Sequence, residues 1–181
     1  MKWWPYIGVA AVLVLLAVFG WRHWREHRFD GDIAAAAQRY QMDPALIRAV
    51  IWRESDFHPG ARGKAGELGL MQIRGPAAQE WATAEHIKGF DQDECLDPLT
   101  NVLAGTWYLK RVIHHYNQAD DPLPFGLAEY NAGRRNVLKW LAGGGATNSA
   151  AFIGRIGFPG TRTYVQKIIQ RYQQNRRLNP S

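Results

Sequence analysis

Nineteen consecutive residues without a charge, Trp3 to Trp21 ("WWPYIGVAAVLVLLAVFGW"), constrain this chain more than any other feature. At the helical rise they reach roughly 28 Å, close to the thickness of a bilayer's hydrocarbon core. Trp3 and Trp4 at one end, and Trp21 and Trp24 at the other, suit the two membrane interfaces. A cleaved leader is the rival reading. The apolar run is long for one, and the "GWRHWREHR" that follows holds no small-x-small cleavage site. Residues 1–29 are therefore expected to be a retained single-span anchor with its juxtamembrane segment, and residues 30–181 one soluble domain with one core. His23 and His27, within "HWREH", share a helical face. They lack an evident third ligand and read as a solvated juxtamembrane helix, so no metal is expected.

Of the formal charge of +6, half lies in residues 1–29. The remaining +3 is too small to argue for nucleic acid, and no basic run alternates with aromatics. The single cysteine, Cys95, excludes an internal disulfide, and its acidic neighbours in "DQDECLDP" disfavour a thiolate. It reads as structural. Orientation is in tension: Arg22, Arg25 and Arg28 would hold the domain in the cytoplasm by the positive-inside rule.

The soluble part reads as mainly helical. "DIAAAAQRYQ" opens it, after a hinge near Phe29–Gly31. "DPALIRAVIWRES" follows, with Asp43 as N-cap and Pro44 at the first helical position. Leu46, Ile47, Val50 and Ile51 make one buried stripe, and Glu54 lies a turn beyond its end. "PGARGKAGELG" cannot stay helical and is expected to hold a small β or loop excursion, with a strand-like wall formed by Gly69–Gln72. Helices are expected from Pro76, through "DPLTNVLAGTWYLKRVIHHY", "GLAEYNAG" and "RRNVLKWLAG", and in the closing "TRTYVQKIIQRYQQNRR". "DDPLPFG" and "GGGATNSAAFIGRIGFPG" are expected as loops.

A carboxylate at a helix C-terminus faces the negative end of the backbone dipole, and apolar neighbours desolvate it. Both effects favour the protonated form, which is what a general acid near neutral pH needs. Spacing alone favours the plainer reading of Glu54, a solvated helix-end charge.

"ESDFHPGARGKAGELGLMQI" closely resembles the signature of the soluble lytic transglycosylases, which share the lysozyme-like fold. The glutamate opens the motif as Glu54 does, and Gly69, Leu70, Met71 and Gln72 match its second part. "DPLTNVLAGTWYL", "LAEYNAG" and "TRTYVQKII" resemble the later blocks, so the likeness spans Asp43 to about Tyr172. The resemblance implies a mainly α (α+β lysozyme-like) fold and a peptidoglycan lytic transglycosylase, active on the MurNAc-GlcNAc β-1,4 bond and leaving a 1,6-anhydro end. Glu54 would act as general acid and then base, without metal or organic cofactor. Met71 and Gln72 would line the glycan groove, and Tyr130 would hydrogen-bond near Glu54 or the substrate. Asn131 would hold its loop or contact sugar, and packing or turn roles stay open for Met71, Tyr130 and Asn131. The implied location is the inner membrane with the domain in the periplasm, a substrate argument set above the charge bias. The partners implied are glycan strands. Service to an envelope-spanning machine is compatible, though no residue identifies one.

The chain departs from the pattern at two positions. Gly63 stands where many members carry a serine, and Glu67 where alanine is common. Glu67 has three readings: an exposed loop charge, a brace on backbone donors, or a second carboxylate serving a hydrolytic muramidase. A non-catalytic glycan-binding scaffold is the remaining alternative. Arg134 and Arg135 follow "YNAG" where Pro-Gly is frequent, as groove-rim or solvated charges.

Overall fold

The computed structural model describes residues 4–142 and 147–178. Trp3, assigned above to one membrane interface, lies outside them, as do residues 143–146 of the glycine-rich stretch. Helix α1, Trp4–His27, belongs to the one helical run among the described residues long and apolar enough to cross a membrane, and none of its apolar window is buried against the protein. It breaks at Arg28 and Phe29, where Phe29 turns inward to 4 % exposure, and α2 (Asp30–Tyr40) begins.

Helix α3 (Pro44–Ser55) starts as its sequence dictates. The Asp43 side chain accepts from the Ala45 N–H, and Pro44 occupies the first turn, where no donor is needed. Leu46, Ile47, Val50 and Ile51 are buried. They pack with α5 (Pro98–His114), α6 (Leu123–Ala132) and α9 (Pro159–Leu178) around one apolar centre that includes Phe57, Leu109, Phe125 and Tyr164. A second cluster forms around Leu68, Ile73 and Trp81, beneath α4 (Gly75–Ala84).

Three expectations are corrected. The excursion after α3 contains no strand among the described residues. Two isolated bridges, Arg62 to Leu68 and Leu68 to Ile73, hold a looped segment, and Gly69–Gln72 is a turn. The turn wins because Gly69 (φ 73°) and Gln72 (φ 47°) both take left-handed backbone, which no strand tolerates. "DDPLPFG" is helical from Leu123, since its Pro124 and Phe125 are buried in the core. In the supposed glycine-rich loop, Ser149–Arg155 forms α8, capped by Asn148 and pinned by buried Phe152 and Ile156. Between α6 and α8, Arg134–Leu141 forms α7, as expected.

Candidate active site

Glu54 is the penultimate residue of α3, half-buried, two residues before Asp56 turns the chain left-handed (φ 49°). No cation pairs with it within 4.0 Å among the described residues. The adjacent Arg53 forms no ion pair with it; its guanidinium lies 5.4 Å from the ring centre of Tyr164 and acts on Glu54 only through space. Burial raises the Glu54 pKa from 4.5 to about 7, against the opposing pull of the Tyr164 hydroxyl and of Arg53. The Tyr164 hydroxyl donates to Glu54 Oε1 at 2.5 Å. Tyr164 itself is 2 % exposed, so the hydroxyl holds the carboxyl group from within the core.

Glu54 and Gln72 sit where two arms of an open groove meet. One arm runs past Glu67, Arg74, Tyr108, Tyr130 and Asn131, with the Tyr108 and Tyr130 rings 5.5 Å apart. The other runs past Arg53, Arg62 and Lys167 to Arg22 of α1. Gln72 is held at the junction in its left-handed conformation, since its side-chain amide donates to the carbonyls of Ala61 (3.1 Å) and Gly69 (2.9 Å).

The remaining expected residues take different places. Met71 is wholly buried, so its side chain does not line the groove. It packs on Gly105, where a Cβ would meet Sδ at 2.6 Å. Its backbone serves the site instead, because the Met71 carbonyl accepts from the Tyr130 hydroxyl at 2.8 Å. Tyr130 therefore lines the groove but bonds the opposite wall, not Glu54. Asn131 accepts from Thr161 Oγ1 at 2.8 Å, tying the end of α6 to α9 while facing the groove. Glu67 accepts from the Ala65 N–H at 2.9 Å and lies 4.0 Å from Arg74 Nε, which favours the bracing role. Arg134 and Arg135 are exposed. Cys95 is buried, its thiol pushed up to about 12 by desolvation first and Glu94 second, and so stays protonated. His27 faces Asp30 at 2.9 Å.

Two residues of the site are not singled out by the sequence around them. Tyr164 was visible only as part of a closing helix; nothing local signals a partner 110 positions away. Asn101, fully buried, fixes the Gly69–Gln72 turn. It accepts from the Met71 N–H (2.7 Å) and donates to the carbonyls of Leu68 (2.8 Å) and Cys95 (2.7 Å). A polar residue between Thr100 and Val102 on an apolar helix was the available signal.

The profile of the transglycosylase SLT domain matches residues 32–153. The chain is 31 % identical over 174 residues to the soluble lytic murein transglycosylase of Escherichia coli (strain K12), a match covering 93 % of this chain and 26 % of that protein. It is 36 % identical over 113 residues to the membrane-bound lytic murein transglycosylase F of Desulfosudis oleivorans, covering 61 % and 23 %. Its fold superposes on an inactive glutamate-to-glutamine mutant of the lytic transglycosylase Slt from Pseudomonas aeruginosa. That TM-score is 0.76, at 25 % identity over 84 % of this chain and 24 % of the other. The chain thus spans about a quarter of these relatives' length.

Proposed function

The chain belongs to the transglycosylase SLT family, and from that premise we propose that it is a membrane-anchored lytic transglycosylase acting on peptidoglycan, with Glu54 as its acid and base. The observation that carries this reading is a carboxyl group with a pKa near 7, with no ion-pair partner within 4.0 Å among the described residues, at the junction of a two-armed groove. Cleavage of a glycosidic bond through an oxocarbenium-like state requires a proton on the leaving oxygen. Protonated Glu54 gives that proton as the C1–O bond breaks. The resulting carboxylate then takes the proton of the sugar's own 6-hydroxyl while O6 bonds to C1. Glu54 is restored and no water is consumed. The Tyr164 hydroxyl stabilises the carboxylate between the two steps.

Gln72 would meet the sugar at the junction, and Tyr130 and Asn131 would line its path along the tyrosine-lined arm. The apolar α1 and the membrane-bound relative support membrane anchoring; an inner-membrane helix with the domain in the periplasm is the arrangement that would bring the groove to the peptidoglycan. The hydrolytic alternative asks Glu67 to activate water. Its carboxylate is already engaged by the Ala65 N–H, which argues for the loop instead.

Digestion of purified cell wall by the full chain in detergent, with mass analysis of the released sugars, tests the reading. Products one water lighter than the hydrolytic ones are expected, and none from Glu54→Gln. Ordinary reducing ends would make the protein a muramidase. Retention on the polymer without release would make it a glycan-binding scaffold.

A further inference from the structure

Helix α1 does not merely tether the domain; its last turn is docked on it. Arg25 pairs with Asp56, just past the end of α3. Glu26 accepts from Arg171 of α9 at 2.6 Å, and its backbone carbonyl accepts from Arg48 of α3 at 2.7 Å. Phe29 is buried in the core beyond. Four attachments from three residues, Arg25, Glu26 and Phe29, fix the helix against the catalytic domain, so the groove has a set height above the bilayer.

That height follows from the sequence of α1. Trp21 and Trp24 are exposed, with Arg25 and Arg28 stacked 4.5 and 5.1 Å from their ring centres, an arrangement that belongs at the headgroup level. Arg22 lies between these tryptophans in sequence and about one helical turn, roughly 5 Å, from the docked residues. Arg22 also lines the groove that contains Glu54. One arm of the groove therefore opens at the depth of lipid phosphates.

The same arm is electropositive. Arg22, Arg53, Arg62 and Lys167 line it against Glu54 and Asp56. Asp56 is taken up by Arg25, and Arg62 faces Asp93 at 3.7 Å. Arg22, Arg53 and Lys167 are exposed and have no carboxylate within 4.0 Å among the described residues. In the other arm the carboxylates of Glu67, Glu80 and Glu129 predominate, each with a partner of its own. The groove is thus polarised along its length, with its cationic end at the membrane.

We propose that this membrane-proximal arm receives the phosphate-bearing end of a lipid-linked glycan strand, with Arg22, Arg53 and Lys167 contacting the phosphate oxygens. The protein then acts on strands still tethered to the bilayer that holds its own helix. This rests on the glycan reading of the groove and adds where along the strand, and on which strands, it works. A phospholipid headgroup has the same charge but no polymer to continue past Glu54 and Gln72 into the tyrosine-lined arm. Guanidinium groups are suited to phosphate because their paired N–H donors match its oxygens.

The test uses the full chain carrying Glu54→Gln in phosphatidylcholine nanodiscs. It compares two amino-sugar tetrasaccharides, one bearing a methyl diphosphate at its terminal C1 and one with that end free. The diphosphate form is expected to bind about tenfold tighter, as two or three exposed charge-assisted contacts warrant. Adding Arg22→Ala and Lys167→Ala should bring the ratio to about one. Equal affinities before those substitutions, or a ratio that survives them, overturn the proposal. So does inorganic pyrophosphate binding as tightly as the diphosphate glycan, which would mark a plain phosphate site. So does loss of the preference when phosphatidylglycerol is added, which would mark a headgroup site. If neither glycan binds, the glycan reading of the groove falls too; if both bind alike, only this proposal does.

Discussion

Glu67 fills the space that a side chain at position 63 would need. A Cβ on Gly63 would stand 2.2 Å from Glu67 Oε2, 2.9 Å from Glu67 Cβ and 3.0 Å from Gln72 Oε1. The two departures from the family pattern are therefore one physical change: the family's serine and this chain's glutamate cannot both occupy the loop. Gly63→Ser alone is expected to cost about 1–3 kcal/mol by overpacking. Glu67→Ala alone frees the Ala65 N–H to solvent at small cost. Together they should restore most of the stability, with a coupling of about 1–2 kcal/mol in a double-mutant cycle by urea unfolding. Additive single costs would show that the two side chains do not compete.

Tyr164→Phe removes the one side-chain donor that holds Glu54 from below. Because that bond favours the carboxylate, its loss should raise the Glu54 pKa and move the alkaline limb of the activity profile to higher pH. Turnover at the new optimum is expected to fall about tenfold, the scale of one hydrogen bond to a charged group. KM should change little, since the buried hydroxyl does not face the groove. An unmoved pH profile would reduce Tyr164 to a packing residue.

Parts of this architecture were legible because their causes are local. Asp43 with Pro44, Asp97 with Pro98, and Gly133 mark helix ends through caps that act within a few residues. The stripe from Leu46 to Ile51 announces its buried face by spacing alone. What could not be read depends on contacts remote in sequence. Met71 sits in the core because Gly105, 34 positions on, leaves room for it. Helix α8 forms among glycines because Phe152 finds Phe125, 4.2 Å away ring to ring. Glu54 was found as the end of a helix, but Tyr164, which sets its chemistry, lies on a helix that only the fold brings near.

The raised pKa of Glu54 makes stability depend on pH with a definite sign. The folded protein holds this proton up to about 7, the unfolded chain only to its ordinary 4.5. The contribution is fully present below 4.5 and is lost as pH rises through 7, on the order of 3 kcal/mol if the whole shift is realised. Glu54→Gln keeps the shape without the charge. It should therefore be more stable than the parent at pH 8, and closely similar to it at pH 4.5. Parallel urea melts of the two proteins at both pH values check this, and identical differences at both would mean that Glu54 is well hydrated.

Asn101→Ala should cost more than any surface change, roughly 3–5 kcal/mol, because it strands the buried Met71 N–H and the Cys95 carbonyl together, while the Leu68 carbonyl keeps only the Ile73 N–H at 3.0 Å. Asn101→Asp should not rescue it: the carboxylate can still accept from the Met71 N–H but turns an oxygen towards the Leu68 and Cys95 carbonyls in place of a donor. The damage should be felt first in the Gly69–Gln72 turn, whose Gly69 cannot gain a side chain to compensate, since a Cβ there would still meet the Cys95 carbonyl at 2.6 Å. With that turn loosened, the Met71 carbonyl no longer presents a fixed acceptor to Tyr130, and the groove widens at its junction. Hydrogen exchange reads this directly. The Met71 amide should lose protection in Asn101→Ala by more than the amides of α9 do, and equal loss in both would make Asn101 a contributor to global stability alone.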